Sequence, residues 1–100
     1  MIKHIVLLNW KAGTTAEQVA QVTAEFAKLQ DSIEEIQSYQ FGPDAGIFKG
    51  NASYALLAEF NSEADLKRYA AHPLHQAFLE NVAAPILDSF QSLQFNLNDK

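Results

Sequence analysis

The side chains best suited to chemistry lie in the stretch RYAAHPLHQAF. His72 and His75 are three residues apart with Pro73 between them, and Tyr69 and Phe78 flank the pair. An imidazole titrates close to neutral pH, so this pattern is typical of an acid–base site. It also fits a pair of metal ligands or a helix junction that uses histidines.

A metal site is the least favoured of these interpretations. No carboxylate near His72 and His75 completes a ligand set, and the chain contains no cysteine. The sequence also lacks a glycine-rich phosphate loop, a serine nucleophile motif and a paired-carboxylate pattern. We therefore predict neither a metal nor a cofactor.

The proline predicts a break in a helix. A residue that precedes proline is disfavoured in the helical region, and proline suits the first position of a helix. His72 is then the residue before a new helical segment, and His75 lies in its first turn. The N–H groups at that end would disfavour a cationic imidazole, which predicts a neutral His75 able to accept a proton. The structural alternative is a junction in which His75 only bonds a backbone carbonyl.

Aromatic and imidazole side chains elsewhere predict a pocket around this block. His4 on the first strand and Tyr54 on the third would face the same side as Tyr69, with Phe60 as one wall. Each of these residues is also common in protein cores, so the pocket is a hypothesis. We name His75 and Tyr69 as candidate catalytic residues. The candidate substrate-binding residues are His4, Tyr54, His72, Phe26 and Phe78.

Periodicity predicts the elements that position these side chains. Runs rich in β-branched and large apolar residues indicate strands. Apolar residues at spacings of three and four indicate helices. One such stripe follows a capping box at Thr14–Glu17 or Thr15–Gln18, and another follows a capping box at Ser62–Asp65. The predicted strands are Ile2–Trp10, Ile36–Gly42, Ser53–Asn61 and Gln91–Leu97, and the helices are about Ala16–Asp31, Ser62–Ala71 and a segment from Pro73.

The order β-α-β-β-α-β predicts an α+β, ferredoxin-like fold: one domain over residues 1–100, with a four-stranded antiparallel sheet and both helices on one face. Ile5, Leu7, Ala55 and Leu57 would then be apolar on the uncovered face, which is costly in water. We predict a homodimer through this open sheet face, with the two sheets forming a barrel. Alternatively, long side chains such as Lys3 could cover the face.

Composition limits the partners. The chain has 100 residues, a formal charge of −5 and 48% hydrophobic residues, and its few basic residues are scattered. Without a basic stripe, nucleic acid and anionic membranes are not expected as partners. The apolar run after Met1 is too short to span a bilayer and lacks a cleavage site, so we expect a cytoplasmic protein.

Two motifs resemble the stress-responsive A/B barrel domain (Dabb) family over essentially the whole chain. The first is H-x-x-x-x-x-[FW]-K-x-G and the second is Y-x-x-H-P-x-H-x-x-F. In this chain they are His4, Trp10, Lys11 and Gly13, and Tyr69, His72, Pro73, His75 and Phe78. The resemblance implies a dimeric ferredoxin-like α+β barrel. It further implies acid–base roles for Tyr69 and His75, since the matching residues of the family's plant polyketide cyclases close a ring by an aldol reaction, and His4 also has a counterpart there.

Two positions depart from the cyclases. Tyr54 stands where they have histidine, and Phe26 where they have a pocket tyrosine. We therefore expect a pocket for a small hydrophobic ligand, with lyase- or cyclase-like acid–base chemistry on a carbonyl compound rather than on a plant polyketide. The alternative is a non-catalytic, stress-associated dimer. A third alternative is an oxygenase of the related barrel superfamily, to which only Asn9 and Trp10 show a similarity.

Overall fold

The computed structural model describes residues 1–97, so the last three residues of the predicted domain lie outside it. The chain alternates strands and helices in the predicted order, with a third helix and a π-helical turn added before the last strand. The elements are β1 (Ile2–Trp10), α1 (Ala16–Ser32), β2 (Ser38–Pro43), β3 (Tyr54–Phe60), α2 (Glu63–Ala71), α3 (Pro73–Phe78), the π-helical turn (Leu79–Ala83) and β4 (Leu87–Asn96).

The strands form one antiparallel sheet in the order β2-β3-β1-β4. This is the predicted ferredoxin-like arrangement, and the fold prediction is confirmed. On the helix-covered face of β3, every second residue from Tyr54 to Phe60 is buried. That face meets the buried stripe of α1, formed by Val22, Phe26 and Leu29. The core therefore lies between the helices and one side of the sheet.

The capping box of α1 forms at the second of the two predicted positions. The Thr15 hydroxyl accepts the Gln18 N–H at 3.1 Å, and the Gln18 side-chain oxygen accepts the Thr15 N–H at 2.8 Å. These bonds satisfy N–H groups that the first helical turn leaves without partners. They fix the start of α1 and, through it, the position of Phe26.

Strand β4 begins four residues earlier than the predicted Gln91, and this part of the prediction was wrong. The pairing with β1 shifts between Asn9 and Trp10, which leaves Asp88 as an extra residue in β4. Because of this bulge, Leu87 and Phe90 lie on the same face although they are three residues apart. A search for strict alternation misses a strand whose period is broken in this way.

The uncovered face of the sheet is apolar, as predicted. We call it the open face; its central side chains are Ile5, Leu7, Ala55, Leu57, Leu93 and Phe95. Leu7, Leu93 and Phe95 are 39%, 55% and 45% exposed. Lys3 does not cover them, because its ammonium pairs with Glu59 across β1 and β3 at 3.0 Å.

Candidate functional site

A cavity of about 190 Å³ lies between the sheet and the helices. Its walls come from β1, β4, α1, the α2–α3 junction and the π-helical turn. The lining is mostly aliphatic and aromatic, with His4, Tyr69, His75 and Ser92 as its polar members. The other lining residues are Val6, Leu8, Phe26, Leu56, Phe78, Leu79, Ala83, Leu87 and Phe90.

The junction between α2 and α3 follows from Pro73. Its ring nitrogen has no proton, so the helical hydrogen-bond pattern ends there. His72 ends α2 in an extended conformation (φ −62°, ψ 134°) and caps α3, its Nδ1 accepting the Leu74 N–H at 3.1 Å. The predicted junction role of His72 is therefore what the structure shows. His72 does not line the cavity.

The break leaves the carbonyl of Ala70 without its usual helical donor, because the Leu74 N–H is taken by His72. Two side chains replace that donor: His75 Nδ1 at 3.0 Å and Gln76 Nε2 at 2.6 Å. A carbonyl oxygen only accepts hydrogen bonds, so His75 Nδ1 carries the proton. The lone pair of His75 is then on Nε2, which has no hydrogen-bond partner within residues 1–97.

Burial lowers the pKa of His75 below its ordinary value. The hydrogen bond to Ala70 opposes this shift, and the nearby His72 adds slightly to it. A neutral His75 was predicted, but from the N-terminus of a helix. The main cause here is instead the loss of solvent around the ring. His75 is therefore placed as a neutral base with its free nitrogen on Nε2.

His4 complements His75 on the opposite wall. The side-chain amide of Gln94 on β4 donates to His4 Nδ1 at 2.9 Å, which places the His4 proton on Nε2. Burial lowers the pKa of His4, and the neighbouring His75 lowers it further. A neutral N–H donor and a neutral imidazole base thus line one apolar cavity.

Tyr69 packs its ring on His75, with centroids 4.4 Å apart. The two candidate catalytic residues therefore lie side by side, but no hydrogen bond joins them. The Tyr69 hydroxyl instead pairs with the Tyr39 hydroxyl at 2.6 Å. Burial raises the pKa of Tyr69 to about 12, and the hydrogen bond with Tyr39 opposes the shift. Burial, the nearby Tyr69 and the hydrogen bond with it raise the pKa of Tyr39 as well, so both phenols keep their protons near neutral pH.

Tyr39 was not among the predicted site residues. It lies on β2 with its side chain buried, where the alternation of Tyr39 and Phe41 places both on the helix-covered face. That alternation was readable, but sequence gives no measure of how close Tyr39 comes to Tyr69.

The remaining predicted residues divide into two groups. Phe26 and Phe78 are buried walls of the cavity, with ring centroids 4.7 Å apart. Tyr54 does not line the cavity, because its hydroxyl is bonded to the Thr23 hydroxyl at 2.8 Å. Phe60, also expected as a wall, lies behind Tyr69 with its ring 5.0 Å away.

Residues of the last strand and of the π-helical turn were missed. Leu79 and Ala83, the first and last residues of the π-helical turn, both line the cavity. Phe90 and Ser92 line it from β4, whose early start was not anticipated. Within residues 1–97, no group of three histidine or carboxylate side chains is arranged to hold a metal ion.

Comparison with known proteins decides the family. The model of the stress responsive A/B barrel domain matches residues 2–97. The chain belongs to this family. As an A/B barrel domain, it carries the Tyr69–Phe78 block at the cavity described above. Among the described residues, no helix has the length and apolar character needed to cross a membrane.

Relatives of this A/B barrel domain are similar over most of their length. The stress-response A/B barrel domain-containing protein HS1 of Arabidopsis thaliana is 29% identical over 79 residues, which cover 77% of this chain and 72% of HS1. A crystal structure of a dimeric ferredoxin-like protein of unknown function from Thermobifida fusca is 38% identical. It has a TM-score of 0.89 and covers 96% of this chain and 90% of its own.

A third relative carries a named activity. The hydroxynitrile lyase from Passiflora edulis is 22% identical, with a TM-score of 0.84 over 99% of this chain and 94% of its own. At this identity the likeness concerns the fold alone.

Proposed function

We propose that this A/B barrel domain is a homodimer through the open face, and that each subunit binds a small carbonyl compound in the cavity for acid–base chemistry. The observation that supports this most is His75. It is neutral, it is held through Nδ1 by the Ala70 carbonyl, and its Nε2 has no partner within residues 1–97. A fixed base in a largely apolar cavity suits the removal of a proton from carbon.

The size of the cavity limits the substrate. Apolar cavities of about 150 Å³ accept benzene, and this cavity has about 190 Å³. A single aromatic ring with a short carbonyl substituent fits that volume. A plant polyketide is larger, which agrees with the departures at Tyr54 and Phe26.

The reaction would proceed by enolisation. His75 Nε2 takes a proton from the carbon next to the carbonyl, and the electron pair of that C–H bond moves to form an enolate. His4 Nε2–H stabilises the oxygen that becomes negative, because it is a neutral donor in a largely apolar cavity. Only one of the Tyr39 and Tyr69 hydroxyls can donate in the hydrogen bond between them. We assign that role to Tyr39, which leaves the Tyr69 proton for the same oxygen.

The dimer follows from the open face. Leu7, Leu93 and Phe95 would be left in water in a lone subunit, at about 25 cal/mol for each Å² of apolar surface. The Lys3–Glu59 pair on this face is neutral overall, so a second sheet can cover it. The Thermobifida relative is described as dimeric.

A purely structural role has one observation in its favour. Both histidines of the block bond to the backbone, His72 to the Leu74 N–H and His75 to the Ala70 carbonyl. Those bonds stabilise the α2–α3 junction whether or not a ligand binds.

One experiment separates the two functions. Acetophenone is incubated with the protein in D₂O, and the loss of its methyl protons is followed by NMR. We expect exchange above the buffer rate that disappears in His75→Asn, because asparagine can still donate to Ala70 but cannot act as a base. His72→Asn, which keeps a capping side chain outside the cavity, should retain the exchange. Equal rates for wild type, His75→Asn and buffer would favour the structural role.

A further inference from the structure

Two large apolar side chains stand in water on the loop between β2 and β3. Ile47 and Phe48 are 73% and 76% exposed, more than the other large hydrophobic residues of the described chain. Neighbouring apolar residues exposed to this extent mark an interaction surface more often than a solvent-facing loop.

This loop has a defined shape. The Asp44 carboxylate accepts the Gly46 N–H at 2.9 Å and the Asn51 side-chain amide at 3.0 Å, and the Asp44 N–H donates to the Ser53 carbonyl. Gly46 and Gly50 adopt positive φ of 76° and 80°, a conformation that other residues rarely adopt. These bonds close the base of the loop and leave Ile47 and Phe48 exposed at its tip.

The cavity described above is open on the side of β4. Phe90 and Leu79 both line it, yet they are 57% and 38% exposed. We call the gap between these two side chains the mouth. An enclosed site for proton transfer needs this mouth covered, because water there weakens the base and the oxyanion donors.

The loop and the mouth lie at the same end of the sheet. Phe90 pairs with Leu8, Leu8 pairs with Tyr54, and Tyr54 pairs with Pro43, where β2 ends and the loop begins. This row crosses the whole sheet, so loop and mouth sit at opposite edges about 14 Å apart. The loop of one subunit is therefore on the wrong edge to cover its own mouth.

A two-fold axis between two facing sheets can run along the strands or across them. Along the strands, β4 of one copy faces β2 of the other; across them, β4 faces β4. On the open face, β4 carries Gln91, Leu93 and Phe95, whereas β2 carries Ser38, Gln40 and Gly42. The axis along the strands sets Phe95 opposite Ser38 and Gln91 opposite Gly42, with Leu93 opposite Gln40. Close packing favours large side chains opposite small ones, so the first two pairs favour this axis. That axis keeps the ends of the sheet together and exchanges its edges.

We propose that Ile47 and Phe48 of one subunit cover the mouth at Phe90 and Leu79 of its partner, so that each cavity is completed by a second copy of the chain. The inference rests on the dimer proposed above and adds to it the orientation and a shared site. The occupant is this chain itself, because the exposed tip and the exposed mouth are both apolar and this axis brings them to the same edge and the same end of the dimer. The partner lies on the open side of the sheet and the mouth on the helix side, so the ten-residue loop 44–53 reaches around the β4 edge across about 10 Å between the sheets.

Cross-linking tests whether the loop of one subunit lies at the mouth of its partner. The chain contains no cysteine, so only introduced cysteines can react. The variant Phe48→Cys/Phe90→Cys is treated with a short bis-maleimide and analysed on a denaturing gel. We expect covalent dimers from this variant and none from either single variant. Phe48→Cys/Leu74→Cys is the matched control, since Leu74 is exposed on α3 but does not line the cavity.

The outcomes separate this inference from the proposed dimer. Covalent dimers from Phe48→Cys alone would mean that the loops meet each other, and the inference would be wrong. It would also be wrong if sedimentation shows a dimer but the double variant does not cross-link. Lone subunits in sedimentation would overturn the proposed dimer itself.

Ligand binding provides a second readout. Acetophenone binding is measured by NMR line broadening at a protein concentration where sedimentation shows dimers. We expect Ile47→Ser/Phe48→Ser to weaken it by about tenfold, while Leu74→Ser leaves it unchanged. Unchanged binding in the loop variant would show that the mouth is not covered by the loop.

Discussion

Both faces of the sheet carry apolar side chains, but the two faces meet different surroundings. On the helix-covered face, Tyr54, Leu56, Ala58 and Phe60 are almost completely buried. On the open face, Leu7 and its neighbours on β4 stay exposed in a single subunit. Both faces of these strands are apolar, and the helices of a single chain cover only one of them.

The polar groups differ in the same way. The covered face holds neutral groups that bond to one another, such as Tyr39 with Tyr69 and His4 with Gln94. The open face holds an ion pair, Lys3 with Glu59. A charged pair tolerates partial exposure, whereas groups in a dry interior remain neutral and shift their pKa. Under the proposed function, the chemistry that needs a neutral base would take place on the covered face and the assembly of the dimer on the open one.

The largest effect is expected from opening the covered face. Phe26 contacts Tyr39, Phe41, Tyr54 and Phe78 and is buried. Phe26→Ala should lower the free energy of unfolding by about 3–5 kcal/mol, as measured by urea denaturation. A loss under about 1 kcal/mol would mean that the helices collapse into the space and that the packing around the cavity is loose.

A charge on the open face should affect assembly and leave the fold intact. Leu93 is more than half exposed in one subunit, so Leu93→Lys costs the monomer little. In the dimer the lysine would be buried without a partner, and we expect the dissociation constant to rise at least about 100-fold. Sedimentation velocity measures this change.

Leu74→Lys is the matched control for that experiment, because Leu74 is similarly exposed but lies on α3. It should leave the dissociation constant unchanged. If both variants behave like wild type, the open face does not form the dimer, and the comparison between the two faces loses its meaning.

Sequence patterns predicted the elements whose periods are regular. Local geometry determines the apolar stripe of α1, the alternation of β1 and β3 and the break at Pro73. The order of these elements then predicted the fold. The pattern failed at β4, where the bulge at Asp88 breaks the alternation and brings Phe90 to the cavity. A bulge depends on pairing with β1, which is not a local property.

The candidate site was predictable by residue type more than by contact. His4, Tyr69 and His75 were placed on one cavity from the facing of their elements. The hydrogen-bond partner of the Tyr69 hydroxyl could not be predicted. Tyr39 lies thirty positions away in the sequence, and other hydroxyl groups could have formed the same bond. Tyr54 lies on the helix-covered face, but its hydroxyl is hydrogen-bonded to Thr23 on α1. Facing follows from secondary structure, whereas pairing of hydroxyl groups depends on packing.

The smallest expected effect is a pH dependence that belongs to the covered face. Burial lowers the pKa of His4 and His75 below the ordinary value of 6.5. Below pH 6.5 the unfolded chain therefore binds more protons than the folded one, and stability falls as the pH falls. The loss levels off once the pH is below the folded pKa values, where both states are protonated.

Urea denaturation at a series of pH values from 7.5 to about 5 measures this slope. The groups facing the two rings are Tyr69, which stays neutral over this range with a pKa of about 12, and the uncharged Gln94. We expect His4→Gln/His75→Asn to have a flatter profile than wild type, because the double variant removes both shifted groups. Leu93→Lys, studied as a monomer, should keep the wild-type profile if the effect arises under the helices. A slope that survives in the double variant but disappears in Leu93→Lys would assign the pH dependence to the open face. The neutral His4 and His75 could then not be its cause.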